Sequence, residues 1–131
     1  MADFRDLLQE ADWKAEKHVP VIECPEKIKK GDSLKLDVSV GKQISHPNTT
    51  EHHIRSIELY FLPSGEKFPY QVARFEFSAH GESVQGPNTS TVFSEPKISA
   101  CFKTEKGGTI AAIAYCNIHG IWKSEKDVIV G

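Results

Sequence analysis

The sequence predicts an all-β chain, an antiparallel β-sandwich of about seven strands with a short N-terminal helix. Three observations lead there. Apolar and polar residues alternate through Leu34-Lys35-Leu36-Asp37-Val38-Ser39-Val40, the period-two pattern of a strand with one wet face. Turn formers separate the short apolar runs, as in Pro63-Ser64-Gly65 and Lys106-Gly107-Gly108. Helical spacing of apolar residues is confined to Phe4, Leu7, Leu8 and Ala11 at the N-terminus.

In order along the chain, Asp3 caps that helix, which is expected to end near Trp13 and to dock through its apolar side. A charged loop, Lys14 to His18, leads into a short apolar run from Val19 to Ile22, and Pro25 and Gly31 punctuate the chain before the alternating strand, which stops at Gly41. The segment from Ile44 to His53 holds turn residues and three histidines, and it feeds a second strand from Ile54 to Leu62. A third strand runs about Tyr70 to Ser78, with Ala73, Phe75 and Phe77 on one face and Arg74 and Glu76 on the other. The linker from His80 to Ser90 is rich in turn formers and long enough to cross between sheets. Ile98, Ala100 and Phe102 mark a fourth strand, Lys106-Gly107-Gly108 a hairpin into Thr109 to Tyr115, and Val128 to Val130 a last short strand.

With 131 residues the chain is read as one domain spanning 1–131, long enough to bury a core without staples. A net charge of -2 points away from nucleic acid and anionic membrane surfaces. Met1 to Glu10 has neither the basic start nor the apolar run of a signal peptide, and no stretch reaches the length of a membrane span. The three cysteines, Cys24, Cys101 and Cys116, suggest no disulfide framework, so a reducing cytoplasm is expected. The order argues against an immunoglobulin-type core disulfide: neither Trp13 nor Trp122 lies between Cys24 and Cys101, which are read as packed thiols.

The chemistry gathers around Cys116-Asn117-Ile118-His119-Gly120, where a thiol and an imidazole three residues apart can grip one metal from a tight turn. Alone, that pair also fits a buried thiol beside a capping histidine. Five of the six histidines, His18, His46, His52, His53 and His119, fall in loops or at strand ends, where ligands converge from separate parts of a scaffold. Imidazoles with one thiolate suit zinc, copper or iron. A structural zinc site closes with about four ligands, whereas four histidines and a cysteine leave one octahedral position open, which favours a reactive metal with iron ahead of zinc. Spacing does not choose between His52 and His53, because neighbours on an extended segment point opposite ways.

The segments Glu16-Lys17-His18-Val19-Pro20, His46-Pro47-Asn48-Thr49-Thr50-Glu51-His52-His53-Ile54, His80-Gly81-Glu82-Ser83 and Cys116-Asn117-Ile118-His119-Gly120 closely resemble the superoxide reductases, the neelaredoxin and desulfoferrodoxin family. The likeness runs from about Asp12 to Trp122. It implies an immunoglobulin-like β-sandwich holding a mononuclear iron with equatorial His18, His46, His52 and His119 and axial Cys116, leaving His53 as a supporting or core residue. Larger desulfoferrodoxins carry a further N-terminal module with four cysteines; with only Cys24 in its N-terminal half, this chain looks like the one-iron type.

The resemblance further implies one-electron reduction of superoxide to hydrogen peroxide, with a rubredoxin-like protein as electron donor and a homo-oligomer, commonly a tetramer. In such a site the Cys116 thiolate would push electron density onto the metal. Lys17 would steer the anionic substrate, and Glu16 would occupy the sixth position of ferric iron after turnover. His80 and Glu82 are expected to serve a loop hydrogen bond. A non-catalytic iron electron carrier and a β-sandwich with structural zinc are the competing readings. The short spacing in the Cys116 turn also predicts that His119 binds through Nδ1, whereas the distant histidines are free to use Nε2.

Overall fold

Residues 1–131 of the computed structural model form eight strands and one helical turn. The alternation in the strand after Gly31 sets the first sheet. In β3 (Ser33–Val40) the side chains of Leu34, Leu36, Val38 and Val40 are buried while Lys35 and Asp37 face water. β3 pairs antiparallel with β1 (Pro20–Glu23) on one side and with β6 (Lys97–Lys103) on the other. The second sheet has five strands in the order β2 (Lys27–Ile28), β8 (Gly120–Val130), β7 (Gly108–Cys116), β4 (Ile54–Pro63) and β5 (Tyr70–Glu76). Between the sheets lies a core of 15 buried residues, in which Leu34, Leu36 and Val38 of one sheet face Ile57, Leu59 and Ile110 of the other. The linker after β5 carries the chain from the five-stranded to the three-stranded sheet, as its length predicts.

Four details depart from the sequence reading. The helix α1 is a single turn, Phe4–Leu7, with no buried residue, although Asp3 does cap it by accepting from the Arg5 amide at 3.0 Å. Four residues are too few to sustain a helix without a packed face. The chain instead lies along the start of β8, where the Gln9 amide donates to the Ile121 carbonyl at 3.0 Å and the Lys123 amide to the Gln9 carbonyl at 2.8 Å. Lys106-Gly107-Gly108 does not close a hairpin, because β6 and β7 belong to different sheets. The turn passes from one layer to the other, fastened where the Ser64 amide donates to the Gly107 carbonyl at 2.8 Å. The last strand, β8, runs for 11 residues, well beyond Val128 to Val130. Its charged outer residues carry no apolar signal, and pairing with β7 from Gly108↔Val128 to Cys116↔Gly120 holds it straight. Finally, β2 is a two-residue strand that pairs parallel with β8, an exception to the antiparallel rule elsewhere.

The loops that matter gather at one end. β1 and β3 pair Pro20 with Val40, so the loop before Pro20 and the loop after Val40 leave the sheet together. β4 and β7 pair Ile54 with Cys116, which brings the segment before Ile54 against the turn after Cys116. The β4–β7 register slips between Ile54 and Ser56, a bulge at Arg55 of the kind that re-aims side chains beside a site. No helix of the chain is long and apolar enough to cross a membrane.

Candidate metal centre

His18, His46, His52 and His119 meet at this end, although they come from three separate stretches of chain: the loop before β1, the β3–β4 loop, which supplies two, and the turn after β7. Ring centroids of neighbouring imidazoles are 4.8 Å apart for His18 and His46, 4.8 Å for His46 and His52, 5.0 Å for His52 and His119, and 4.7 Å for His119 and His18. The ring of four closes on itself, and across it His18 and His52 lie 6.3 Å apart, a little under the diagonal of a square of that edge. Neighbouring planes are steeply inclined, by 54° to 81°, while the opposed pair is tilted by 29°. That is a four-bladed arrangement around a common centre.

The nitrogens converge as well. His119 Nδ1 is 3.1 Å from His18 Nε2 and 3.3 Å from His52 Nε2. Two imidazole nitrogens bound at right angles to one ion, at about 2.1 Å each, would stand about 3.0 Å apart. Buried Cys116 places its Sγ 3.9 Å from His119 Nδ1, and the ligand atoms of His18, His52, Cys116 and His119 all lie within 4.8 Å of one another. His46 falls outside that tightest group, yet its Nε2 is buried with no hydrogen-bond partner, an orphaned lone pair on a ring already seated between His18 and His52. A metal ion would satisfy it. The residues present therefore fit a metal with nitrogen and sulfur donors.

Second contacts hold these rings in place. His18 Nδ1 donates to Glu16 Oε1 at 2.6 Å, and His46 Nδ1 donates to the Pro47 carbonyl at 2.6 Å. Each bond fixes the tautomer that leaves Nε2 free as a ligand atom. Burial pushes the His46 imidazole down to about 4, aided by the charges of His18, His52 and Lys17 and opposed by the Pro47 carbonyl. Burial, with the neighbouring imidazole and Lys17 charges, also lowers His52. Such histidines are neutral near pH 7, the form that binds metal. At the turn itself, the His119 amide points to Cys116 Sγ at 3.4 Å, a contact that stabilises thiolate.

Glu16 and Lys17 sit differently with respect to the ring. Glu16 rests on the outer nitrogen of His18 and also accepts from the His18 amide at 3.0 Å, rather than standing over the centre. These are the donors nearest to a carboxylate two residues earlier in the chain. Burial works against its ionisation, but the hydrogen bonds and charge of His18 prevail and keep its carboxyl below the usual carboxylate value. Lys17 makes no ion pair and, with Glu16, His18, Ile44, His119 and Trp122, lines a shallow depression beside the imidazole ring.

His53 turns away from the cluster. Its buried ring stacks on His80 at 3.4 Å with planes 4° apart and donates from Nδ1 to the Thr49 carbonyl at 2.9 Å. This resolves the choice that spacing leaves open, since His52, not His53, joins the ring. The His80 amide donates to both carboxylate oxygens of Glu82, at 2.8 and 3.1 Å, the loop bond expected of that pair. Cys24, Cys101 and Cys116 are all free thiols. Trp122 has no role at the site in the sequence reading, yet it stacks on His18 at 4.9 Å with planes 13° apart and donates from Nε1 to the His119 carbonyl at 3.2 Å. Only the extension of β8 back to Gly120 reveals it, and the apolar pattern hides that extension.

Comparison with known proteins agrees with this geometry. The family model described as desulfoferrodoxin matches residues 10–125. The chain is 59% identical over 120 residues to the superoxide reductase of Pyrococcus furiosus, covering 92% of this chain and 94% of that one. It is 50% identical over 123 residues to the neelaredoxin of Megalodesulfovibrio gigas, covering 94% and 95%. The solved superoxide reductase (neelaredoxin) of Archaeoglobus fulgidus in the reduced form superposes with a TM-score of 0.87 at 57% identity, over 94% of this chain and 98% of that one. Likeness of that extent, together with the imidazole ring and its thiol, means that the chain belongs to the desulfoferrodoxin family, among its superoxide reductases and neelaredoxins.

Proposed function

We propose that the chain reduces superoxide to hydrogen peroxide, taking up one electron and two protons, at an iron that His18, His46, His52, His119 and Cys116 would hold. The observation that supports this most is the closed ring of four imidazoles beside one buried thiol, five donors that would leave room at a six-coordinate metal for substrate. When bound, ferrous iron supplies the electron, and thiolate donation from Cys116 favours release of the protonated product.

The chain's own residues govern approach and orientation. Lys17 presents an unpaired cation beside the ring, and its attraction for an anion extends over about 8 Å at physiological salt. Glu16 and Trp122 hold His18 from its edge and its face. By resemblance Glu16 would also serve as a carboxylate ligand of the oxidised metal, for which it would first have to release the His18 N–H. A one-electron donor such as rubredoxin completes the cycle. We place the protein in a reducing cytoplasm, where Cys24 and Cys101 stay free, and as a homo-oligomer, a tetramer by family analogy.

Pulse radiolysis of the iron-loaded, reduced protein tests this reading. Reaction with superoxide is expected near the diffusional ceiling, about 10⁸–10⁹ M⁻¹s⁻¹. A rate about a hundredfold lower would make it an electron carrier, and a colourless protein with stoichiometric zinc would sink the iron assignment.

A further inference from the structure

We propose that Asn117 is the positioning residue that holds His52 in the metal-binding ring, an inference that rests on reading this cluster as a metal centre. The need for such a residue is visible in the ring itself. His18 and His46 are each oriented by a hydrogen bond from Nδ1, to Glu16 and to the Pro47 carbonyl, and His119 is tied by a three-residue turn to Cys116. The His52 ring has no such bond from Nδ1, so its direction is inherited from its backbone. That backbone lies just outside the β-sheet, because Ile54↔Cys116 is the last pair of the β4–β7 ladder.

Asn117 continues the ladder past its end. Its amide N–H donates to the His53 carbonyl at 3.2 Å, its side-chain Oδ1 accepts from the His53 amide at 2.9 Å, and its Nδ2 donates to the Glu51 carbonyl at 2.9 Å. The carboxamide thus acts as an extra peptide unit, gripping the chain on both sides of His52. Thr49 braces the same stretch from within, accepting on Oγ1 from the His52 amide at 3.1 Å and donating from its own amide to the His52 carbonyl at 2.9 Å. Apart from the His52 ring itself, whose Nε2 lies 3.3 Å from His119 Nδ1, Asn117 is what joins it to the Cys116–His119 turn. Beyond the Ile54↔Cys116 pair, the spacing between His52 and the ligands of that turn is therefore held by one residue, through two side-chain bonds and one backbone bond. Asparagine suits the task because it offers an acceptor and a donor on a short, planar group.

Asn117→Ala removes both side-chain bonds and leaves the His53 amide and Glu51 carbonyl without them, whereas Asn117→Asp keeps the acceptor and loses the donor. The test titrates the full-length, metal-free protein with Co²⁺ and follows its visible ligand-field and thiolate bands. Asn117→Ala is expected to bind about 10–100-fold more weakly, the usual effect of removing a partner that orients a ligand, with Asn117→Asp in between. Far-ultraviolet circular dichroism shows whether each variant is folded; if the alanine variant is not, the aspartate variant carries the comparison. The decisive measurement is the cycle with His52→Ala. If Asn117 acts through His52, replacing it in the His52→Ala background changes Co²⁺ affinity less than twofold. Wild-type affinity in the folded single variants, or the same loss with His52 already absent, overturns the proposal. Failure of the wild-type protein to bind Co²⁺ would overturn the metal-centre reading instead.

Discussion

Each imidazole around the centre is aimed by a different device: a carboxylate and an indole for His18, a carbonyl for His46, a neighbouring loop for His52 and a tight turn for His119. Because the devices are separate, substitutions have separable effects. Lys17 makes no ion pair with a ligand, so, on the function proposed above, Lys17→Ala is expected to leave metal content intact while slowing the bimolecular reaction with superoxide about tenfold and flattening its dependence on ionic strength. Stopped-flow or radiolysis rates across a salt series measure both. Glu16→Gln retains an acceptor for the His18 N–H, whereas Glu16→Ala removes it. Metal affinity by competition with a chelator should therefore fall by about tenfold in the alanine variant and far less in the glutamine one. Cys116 and the five loop histidines His18, His46, His52, His53 and His119 stand out before any coordinates because His and Cys are few and cluster in loops, but the preference for His52 over His53 comes only from the resemblance to the superoxide reductases. Trp122 and Asn117 do not stand out, since an indole stack and a side chain imitating a peptide bond leave no period or spacing in a sequence.

The elements differ in how plainly they are written. β3 was legible because one face is buried and the other wet, and period-two alternation is the direct trace of that asymmetry. β8 was not, since Lys123, Ser124, Glu125, Lys126 and Asp127 owe their extended form to hydrogen bonds with β7 rather than to burial. The helical spacing of Phe4, Leu7, Leu8 and Ala11 misled for the converse reason: the pattern is present but this chain offers no surface to receive it. The turn at Lys106-Gly107-Gly108 reads as a hairpin locally, and only long-range pairing assigns its two strands to different sheets. Gly108 shows the constraint at that crossing. A Cβ there would run into the Leu62 carbonyl oxygen and stand 2.9 Å from the Phe61 ring and from Pro63 Cα. Gly108→Ala should cost about 2 kcal/mol, or on the order of 5–10 °C in Tm, read from thermal unfolding of the metal-free protein.

Over the whole molecule, several buried histidines make stability depend on pH with a definite sign. Burial lowers His46 to about 4 from 6.5, and burial likewise lowers His52 and His80, against the Phe77 carbonyl in the case of His80. Above about pH 6.5 these groups are neutral whether the chain is folded or not, and they contribute no pH dependence. As pH falls below that value the unfolded chain takes up protons that the folded chain refuses, so stability declines until the folded groups titrate, near 4 for His46. The Tm of the metal-free protein should therefore drop steadily between about pH 6.5 and 4, and His46→Gln should make that decline shallower.

The convergence of His18 on His119, 101 residues apart in sequence, has a mechanical meaning besides a chemical one. An ion shared by loops from distant parts of the chain is a cross-link, closing rings of backbone as a disulfide would and lowering the entropy of the unfolded state. Loss of the ion would then release the chain before β1, the β3–β4 loop and the turn after β7 together. Limited proteolysis should find all three stretches resistant with metal bound and cut at similar rates once it is chelated, so that susceptibility to a protease reports occupancy of the centre.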